Sequence, residues 1–447
     1  MIFPQWLLLS LCALIPIYFI YVKKNQGWAV QWLVIIIVLD IFNSQLYMNV
    51  SAILIFGLVA VPYLWHRRVI LFSNPAVKVF FAYFILLTAL GLIYGFIHPW
   101  PDSTGLRSIK DQASMRTILH LGRTFCEWNA IFYLALQLQA NSKATLNLFL
   151  KTLFYCSIIL ILSTLIEKYF EFDSYHFFTG GRQLLIPDRP RGFCYEPRGL
   201  SQNLAYAILL TPFVPLGQWR YALIPVFFLF AFFITISFTG LMVLGTGLAI
   251  ILLIFIFKKK DLLKLHVKKI VFAGLGLATL FGALIVFMPA HENNHLRERL
   301  SYFSSSHLAE KLEVFDAAAV NFFVHHPGYE IFGTGPGLIS LPAGEYILER
   351  DRALWGNHFE ALPHMGLVLI LSNSGVVGLI VFLYALFLAL RAKNSIENFT
   401  PFVLGCMLCG IYFIQMRYYF VLGFACALTY RFGDEDHDLT DQLNIVI

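Results

Sequence analysis

An all-α polytopic membrane protein is the fold class that this chain predicts, and three observations predict it. Hydrophobic residues fill 59% of the 447 positions and charged residues only 13%, with a mean hydropathy of +0.72. Soluble domains carry roughly 25% charged residues, so about half the ordinary charge is missing. Apolar runs long enough to cross a bilayer, about 17–25 residues, recur between short polar breaks. Only helices and closed barrels satisfy their backbone in lipid, and these runs are too long and continuous for barrel strands.

The first run, about 2–22, has Lys23-Lys24 after it rather than before it and lacks a small-residue cleavage site. It reads as a retained helix, not a signal peptide. Further runs cover about 29–47, 50–65, 77–97, 118–138, 146–166, 203–217, 221–238, 241–257, 270–288, 366–390, 401–414 and 418–430. That makes about 12–13 transmembrane helices.

Basic residues in short loops set the orientation. Lys23-Lys24, Arg67-Arg68, Lys143, Arg220, the lysines of 258–269, and Arg391 with Lys393 fall at alternate crossings. That side is assigned to the cytoplasm, which places 98–117, 171–201 and 291–363 outside. The chain divides into N-terminal transmembrane helices (1–170), an arginine-rich extracytoplasmic loop (171–201) and central helices (202–289). A large extracytoplasmic loop (290–364), C-terminal helices (365–432) and a cytoplasmic tail (433–447) follow.

The net charge of +6 is scattered over loop ends rather than gathered on one face, so it does not point to nucleic acid. Of seven cysteines, only Cys194 lies in a loop. The Cys406-x-x-Cys409 pair has redox or metal spacing, but within an apolar helix it reads as two small packing residues.

One helix carries unusual charge. Arg116, His120, Arg123 and Glu127 recur at spacings of four, three and four, along one helical face. Ionisable residues in a span face the bundle interior or a wet cavity and often serve function. The alternative is a buried Arg–Glu pair that pins helices together.

The first outer loop holds Arg189-Pro190-Arg191-Gly192-Phe193-Cys194-Tyr195-Glu196-Pro197-Arg198. An arginine fork matches phosphate oxygens, and on the outer face anionic cytoplasmic lipid is a weaker explanation for such a cluster. Phosphate binding competes here with loop salt bridges to Asp188 and Glu196. The second outer loop opens with His291-Glu292-Asn293-Asn294-His295, which has the spacing of a zinc-protease motif. Pro289 ahead and the two asparagines inside favour a polar junction leaving the membrane.

Farther on, Lys311 and Glu313 are assigned to a helix. Ile331-Phe332-Gly333-Thr334-Gly335-Pro336-Gly337 follows, a glycine-permitted turn packed against the membrane face. It lacks the strand–helix context and Walker lysine of a nucleotide site. The loop closes with Arg350, Arg352, His358, Glu360 and His364, and a histidine at a helix mouth can act as general base at neutral pH. Ordinary interfacial hydrogen bonding is the competing explanation.

His364-Met365, nine residues, then Gly375-x-x-Gly378 resembles the histidine motif of the bacterial O-antigen ligase and polymerase superfamily, the WaaL-type ligases and Wzy-type polymerases. The Gly333–Gly337 turn, the Arg191-Gly192-Phe193…Glu196-Pro197 loop and the two outer loops over one bundle also look like this family. The resemblance spans about 189–378. Met365 replaces the amide or hydroxyl residue usual after the histidine in ligases, which counts against that branch.

The resemblance implies a GT-C-like membrane glycosyltransferase of the bacterial inner membrane, its site facing the periplasm, with no cofactor or metal. Its donor would be an undecaprenyl-diphosphate-linked oligosaccharide and its acceptor a second glycan. His364 would be the base, oriented by Glu360. Arg191, Arg198, Arg352 and Arg123 would hold the diphosphate, and Arg189, Glu196, Lys311 and His358 would contact the loop or the glycan. A polymerase of O-antigen or a related surface polysaccharide is the leading expectation, with a chain-length regulator as a candidate partner. A ligase onto lipid A core is second, and a lipid-linked glycan flippase or transporter third. A transporter should show paired inverted halves, and no internal repeat is visible here. A membrane metalloprotease is the remaining alternative.

Overall fold

The computed structural model describes residues 5–42, 52–73, 75–101, 112–140, 142–179, 190–194, 197–211, 214–235, 240, 244–245, 314–347, 363 and 366–391. The His291–His295 motif, Lys311, the spans expected at 270–288 and after 391, and the Cys406/Cys409 pair lie outside them. Among the described residues every regular element is helical. Three helices among the described residues are long and apolar enough to cross a membrane: Val77–Ile97, Ala144–Phe170 and Leu367–Tyr384. Shorter apolar helices cover Trp6–Val22, Gln26–Val38, Ala52–His66 and Val314–His325.

Helix α1 (Gln5–Ile17) widens into a π turn over Tyr18–Val22, closed by the Lys23 amide on the Tyr18 carbonyl at 2.8 Å. Asn25 caps α2 (Gln26–Val38) by accepting from the Trp28 amide. The apolar run predicts helix to about residue 47, yet α2 stops at Val38. Leu39 is extended, and only a short 3₁₀ turn follows over Asp40–Phe42. Then come α3 (Ala52–His66), α4 (Arg68–Ser73) and α5 (Pro75–Leu92), the last with its own π turn over Ile93–Ile97.

The two longest helices, α6 (Ala113–Ala140) and α7 (Ser142–Phe170), run beyond the apolar spans at both ends. The short α8 (Ser174–Thr179) follows. Helix α9 (Pro197–Leu210) begins six residues ahead of its expected span. Pro197 at its first position accounts for the start, because its fixed φ suits the helix and its missing N–H is not needed there. A 3₁₀ turn over Gln218–Leu223 leads into α10 (Ile224–Phe228), which widens into a π turn over Leu229–Ile234. The outer loop contributes α11 (Val314–His325) and α12 (Tyr329–Phe332), and α13 (Gly366–Arg391) closes the described chain.

Packing follows from residue size. Helix α3 lies on α6, and α2 on α7. At Gly57 a Cβ would fall 2.0 Å from the Cys126 carbonyl oxygen, so the α3–α6 crossing depends on a residue without a side chain. Fully buried Tyr133 is packed by Phe56 and Tyr63, and the Tyr63 hydroxyl accepts from Gln137 at 2.9 Å. A second, smaller core gathers Phe315, Phe322, Phe323, Ile339 and Ile347 of the outer loop under Val368 of α13. That second core brings the outer loop onto the bundle where the candidate site lies.

Candidate functional site

The site is organised by a break in α13. A continuous span is expected over 366–390, but Gly375 sits at φ 62° and ψ −163°, splitting the helix after Ser374. That backbone region is open essentially to glycine alone. A break strands the carbonyls of the preceding turn, and within a membrane protein such groups must find partners in the protein. The Ser372 carbonyl finds two: the Thr334 amide at 2.7 Å and the Thr334 hydroxyl at 3.0 Å.

Thr334 belongs to the glycine-rich turn of the outer loop, so that turn is plugged into the helix break. The fit is close on both sides. A Cβ at Gly375 would lie 2.3 Å from the Ile331 carbonyl, and one at Gly333 (φ 74°) would lie 2.6 Å from the Ser374 amide. At Gly378 a Cβ would strike the Ser374 side chain and come within 3.0 Å of the Tyr83 ring. Tyr83 reaches the same place, its hydroxyl 3.0 Å from Ser374 Oγ. The two motif glycines therefore have separate physical jobs: Gly375 breaks the helix, and Gly378 lets α5 approach. On the other flank the indole of Trp100 donates to the Thr334 carbonyl at 3.0 Å. The sequence expectation of a tight glycine turn is met, but its seat is among α5, α6 and α13 rather than on a membrane face.

The polar face of α6 closes the arrangement. Asn373, in the last turn before the break, accepts from the Gly337 amide through Oδ1 at 3.0 Å and offers Nδ2 to His120 Nε2 at 3.4 Å. A Cβ on Gly337 would fall 3.0 Å from the His120 ring. One turn ahead, Arg116 donates to the Ser340 hydroxyl. One turn beyond, Arg123 Nε donates to Glu127 Oε1 at 2.8 Å, with the two side chains 39% and 27% exposed. This pair lies within one helix, at a spacing of four.

The arginine-rich loop is anchored elsewhere, over the C-terminal end of α7. Arg191 is among the largest fully buried side chains; its Nη2 donates to Asp173 Oδ2 at 2.7 Å and its guanidinium lies 4.6 Å from the centre of the Tyr175 ring. Glu167 accepts the Arg191 amide at 3.1 Å and the Gly192 amide at 2.6 Å, and Ser163 Oγ accepts from the Phe193 amide. Asp188 and Glu196, the partners considered from sequence, lie outside the described residues. The observed carboxylate, Asp173, stands 18 residues before Arg191.

Of the residues singled out by sequence, Arg123 stands on the α6 face beside this site and Arg191 in the α7–α8 anchor. Arg198 is the second residue of α9. His364, Glu360, Arg352, His358, Arg189, Glu196 and Lys311 lie outside the described residues. His364 precedes the first residue of α13 by two. Asn373, Ser340, Thr334, Asp173 and Glu167 were not selected by local pattern. Each is an ordinary polar residue whose partner is distant in sequence; Asn373 and Thr334 had a signal, one inside the histidine–glycine motif and the other inside the glycine-rich turn. Among the described residues no cluster of three or more His, Cys, Asp or Glu has the geometry to hold a metal ion.

Residues 223–383 match the family model Wzy_C, described as O-antigen ligase. No curated protein matches the chain. The matched segment runs from α10 into α13 and contains the glycine-rich turn, the helix break, His364 and both motif glycines. The match over 223–383 supports membership of the O-antigen polymerase/ligase superfamily, whose members are membrane enzymes acting on lipid-linked glycans.

Proposed function

We propose that the protein is a glycosyltransferase that polymerises undecaprenyl-diphosphate-linked oligosaccharide repeats into O-antigen or a related surface polysaccharide at the periplasmic face of the inner membrane. The observation that carries this reading is the glycine-rich turn seated in the break of α13, the helix whose first residue follows His364 by two. Such seating ties the loop that would hold a glycan to the helix that begins at the proposed base. Met365 after the histidine favours polymerase over ligase.

In this reading His364 takes the proton of an acceptor sugar hydroxyl, with Glu360 orienting it. The hydroxyl oxygen forms a bond to the anomeric carbon of the donor glycan. The bond from that carbon to the diphosphate breaks, and undecaprenyl diphosphate leaves with the electron pair, inverting the anomeric centre. The diphosphate is already a competent leaving group, so the protein's contributions are position, charge neutralisation and the base.

The arginines divide by burial. Arg191, committed to Asp173 and Tyr175, acts as the anchor that sets the start of α9 and hence Arg198. Arg123, partly exposed and paired only within its helix turn, is placed to exchange Glu127 for a phosphate. Arg198 and Arg352 complete the diphosphate set, while Arg189, Glu196, Lys311 and His358 are assigned to the glycan.

The test is the glycan profile of cells lacking the gene, with lipopolysaccharide and lipid-linked intermediates both resolved. A core bearing one repeat unit supports polymerisation. Bare core with long glycan left on the lipid carrier would make the protein a ligase. Complementation with His364→Ala at normal membrane abundance should reproduce the null profile; restored chain length would overturn the assignment of the base.

A further inference from the structure

The structure assigns His120 a role that the preceding reading leaves open: we propose that its Nδ1–H is a fixed hydrogen-bond donor to a phosphoryl oxygen of the lipid-linked donor's diphosphate. The assignment rests on that reading of the site for its ligand, and on a hydrogen-bond chain for its chemistry.

The chain has one direction. A backbone amide can only donate, so the Asn373 atom facing the Gly337 N–H at 3.0 Å must be the carbonyl oxygen. The other end of the same amide, which faces His120 Nε2 at 3.4 Å, is therefore the NH₂ group and donates. An Nε2 that accepts carries no proton. His120 is thus a neutral imidazole with its proton on Nδ1, a tautomer set by its partner rather than by solvent.

The Nδ1 edge has no hydrogen-bond partner among the described residues. Among the described residues the ring makes no hydrogen bond other than the one to Asn373. A Cβ on the neighbouring Gly337 would lie 3.2 Å from Nδ1, so a side chain at that position would crowd the edge that glycine leaves unobstructed on its own side. The ring is half-buried, and it stands on the α6 face between Arg116 and Arg123. A neutral donor flanked by two guanidinium groups suits an anionic oxygen, since it adds a directed bond without adding charge repulsion.

Two amide substitutions separate this role from a structural one, because asparagine places its NH₂ near Nδ1 while glutamine reaches the Nε2 position. The probe is undecaprenyl diphosphate, titrated onto the full-length protein in nanodiscs, with undecaprenyl monophosphate as comparison. His120→Asn keeps the donor and should bind within about threefold of wild type. His120→Gln keeps the contact to Asn373 but loses the donor, and affinity should fall about tenfold or more, as for a lost bond to a charged group. Asn373→Asp leaves His120 in place but presents an acceptor to Nε2, which moves the proton there and removes it from Nδ1; it should fall with His120→Gln.

The reverse order, with His120→Gln near wild type and His120→Asn impaired, would show that His120 merely supports Asn373, and would overturn the proposal. Unchanged affinity in Asn373→Asp, with its melting temperature preserved, would do the same. Failure of wild type itself to bind undecaprenyl diphosphate would overturn the reading of the site, and the His120 assignment with it.

Discussion

Replacing Gly375 by alanine is the perturbation whose cost follows most directly from the structure. At φ 62° and ψ −163° an L-residue is held in a sparsely populated region, which costs about 1–3 kcal/mol. The new methyl would also lie 2.3 Å from both the carbon and the oxygen of the Ile331 carbonyl, and 2.5 Å from the Phe332 amide. These are backbone atoms that cannot rotate aside, so the chain must shift, at an overpacking cost of about 1–3 kcal/mol. The combined expectation is a loss of about 2–6 kcal/mol. Gly122, on α6, is the matched control: it is exposed, and a Cβ there meets nothing within 4 Å. Gly122→Ala should be neutral or gain about 1 kcal/mol from helix propensity. Thermal unfolding of the purified protein in one detergent, wild type beside both variants, makes the comparison. Gly375→Ala melting with wild type would refute the broken helix and the seating of the turn.

Asp173→Asn removes the charge that balances the buried guanidinium of Arg191 and should cost about 3–5 kcal/mol, read as a lowered melting temperature. Asn373→Ala leaves the buried Gly337 amide without its acceptor and should cost about 1–3 kcal/mol by the same measurement. Arg123→Gln should leave the melting temperature nearly unchanged, because a partly exposed pair within one helix is worth at most about 1 kcal/mol. Its effect should appear as weakened undecaprenyl diphosphate binding. An Arg123→Gln variant that binds normally would remove Arg123 from the diphosphate set.

The Arg123 and Arg191 outcomes contrast because burial, not residue type, separates two arginines that look alike on paper. Both stand near a carboxylate. One is sealed under a tyrosine against Asp173, and the other lies on a helix flank with its partner four residues along.

Composition and hydropathy alone determined that this is a helical membrane protein, because lipid forbids unsatisfied backbone and only long apolar helices meet that demand. The expected runs at 77–97, 118–138 and 146–166 lie within long helices for the same reason. The histidine–glycine motif also carried the family, since its glycines answer steric demands that few other residues can meet. Helix ends were less legible. Leu39 leaves the helix inside an apolar run, and Gly375 breaks a span whose mean hydropathy still marks one continuous crossing. Hydropathy records the preference for lipid and is blind to backbone torsion. What only the tertiary structure decided is which polar groups meet: Thr334 with Ser372, Asn373 with Gly337 and His120, and Arg191 with Asp173. Three of these four contacts join residues more than 30 positions apart. Hydrogen bonds between such residues form only where packing has already brought their helices together, and no local pattern records that.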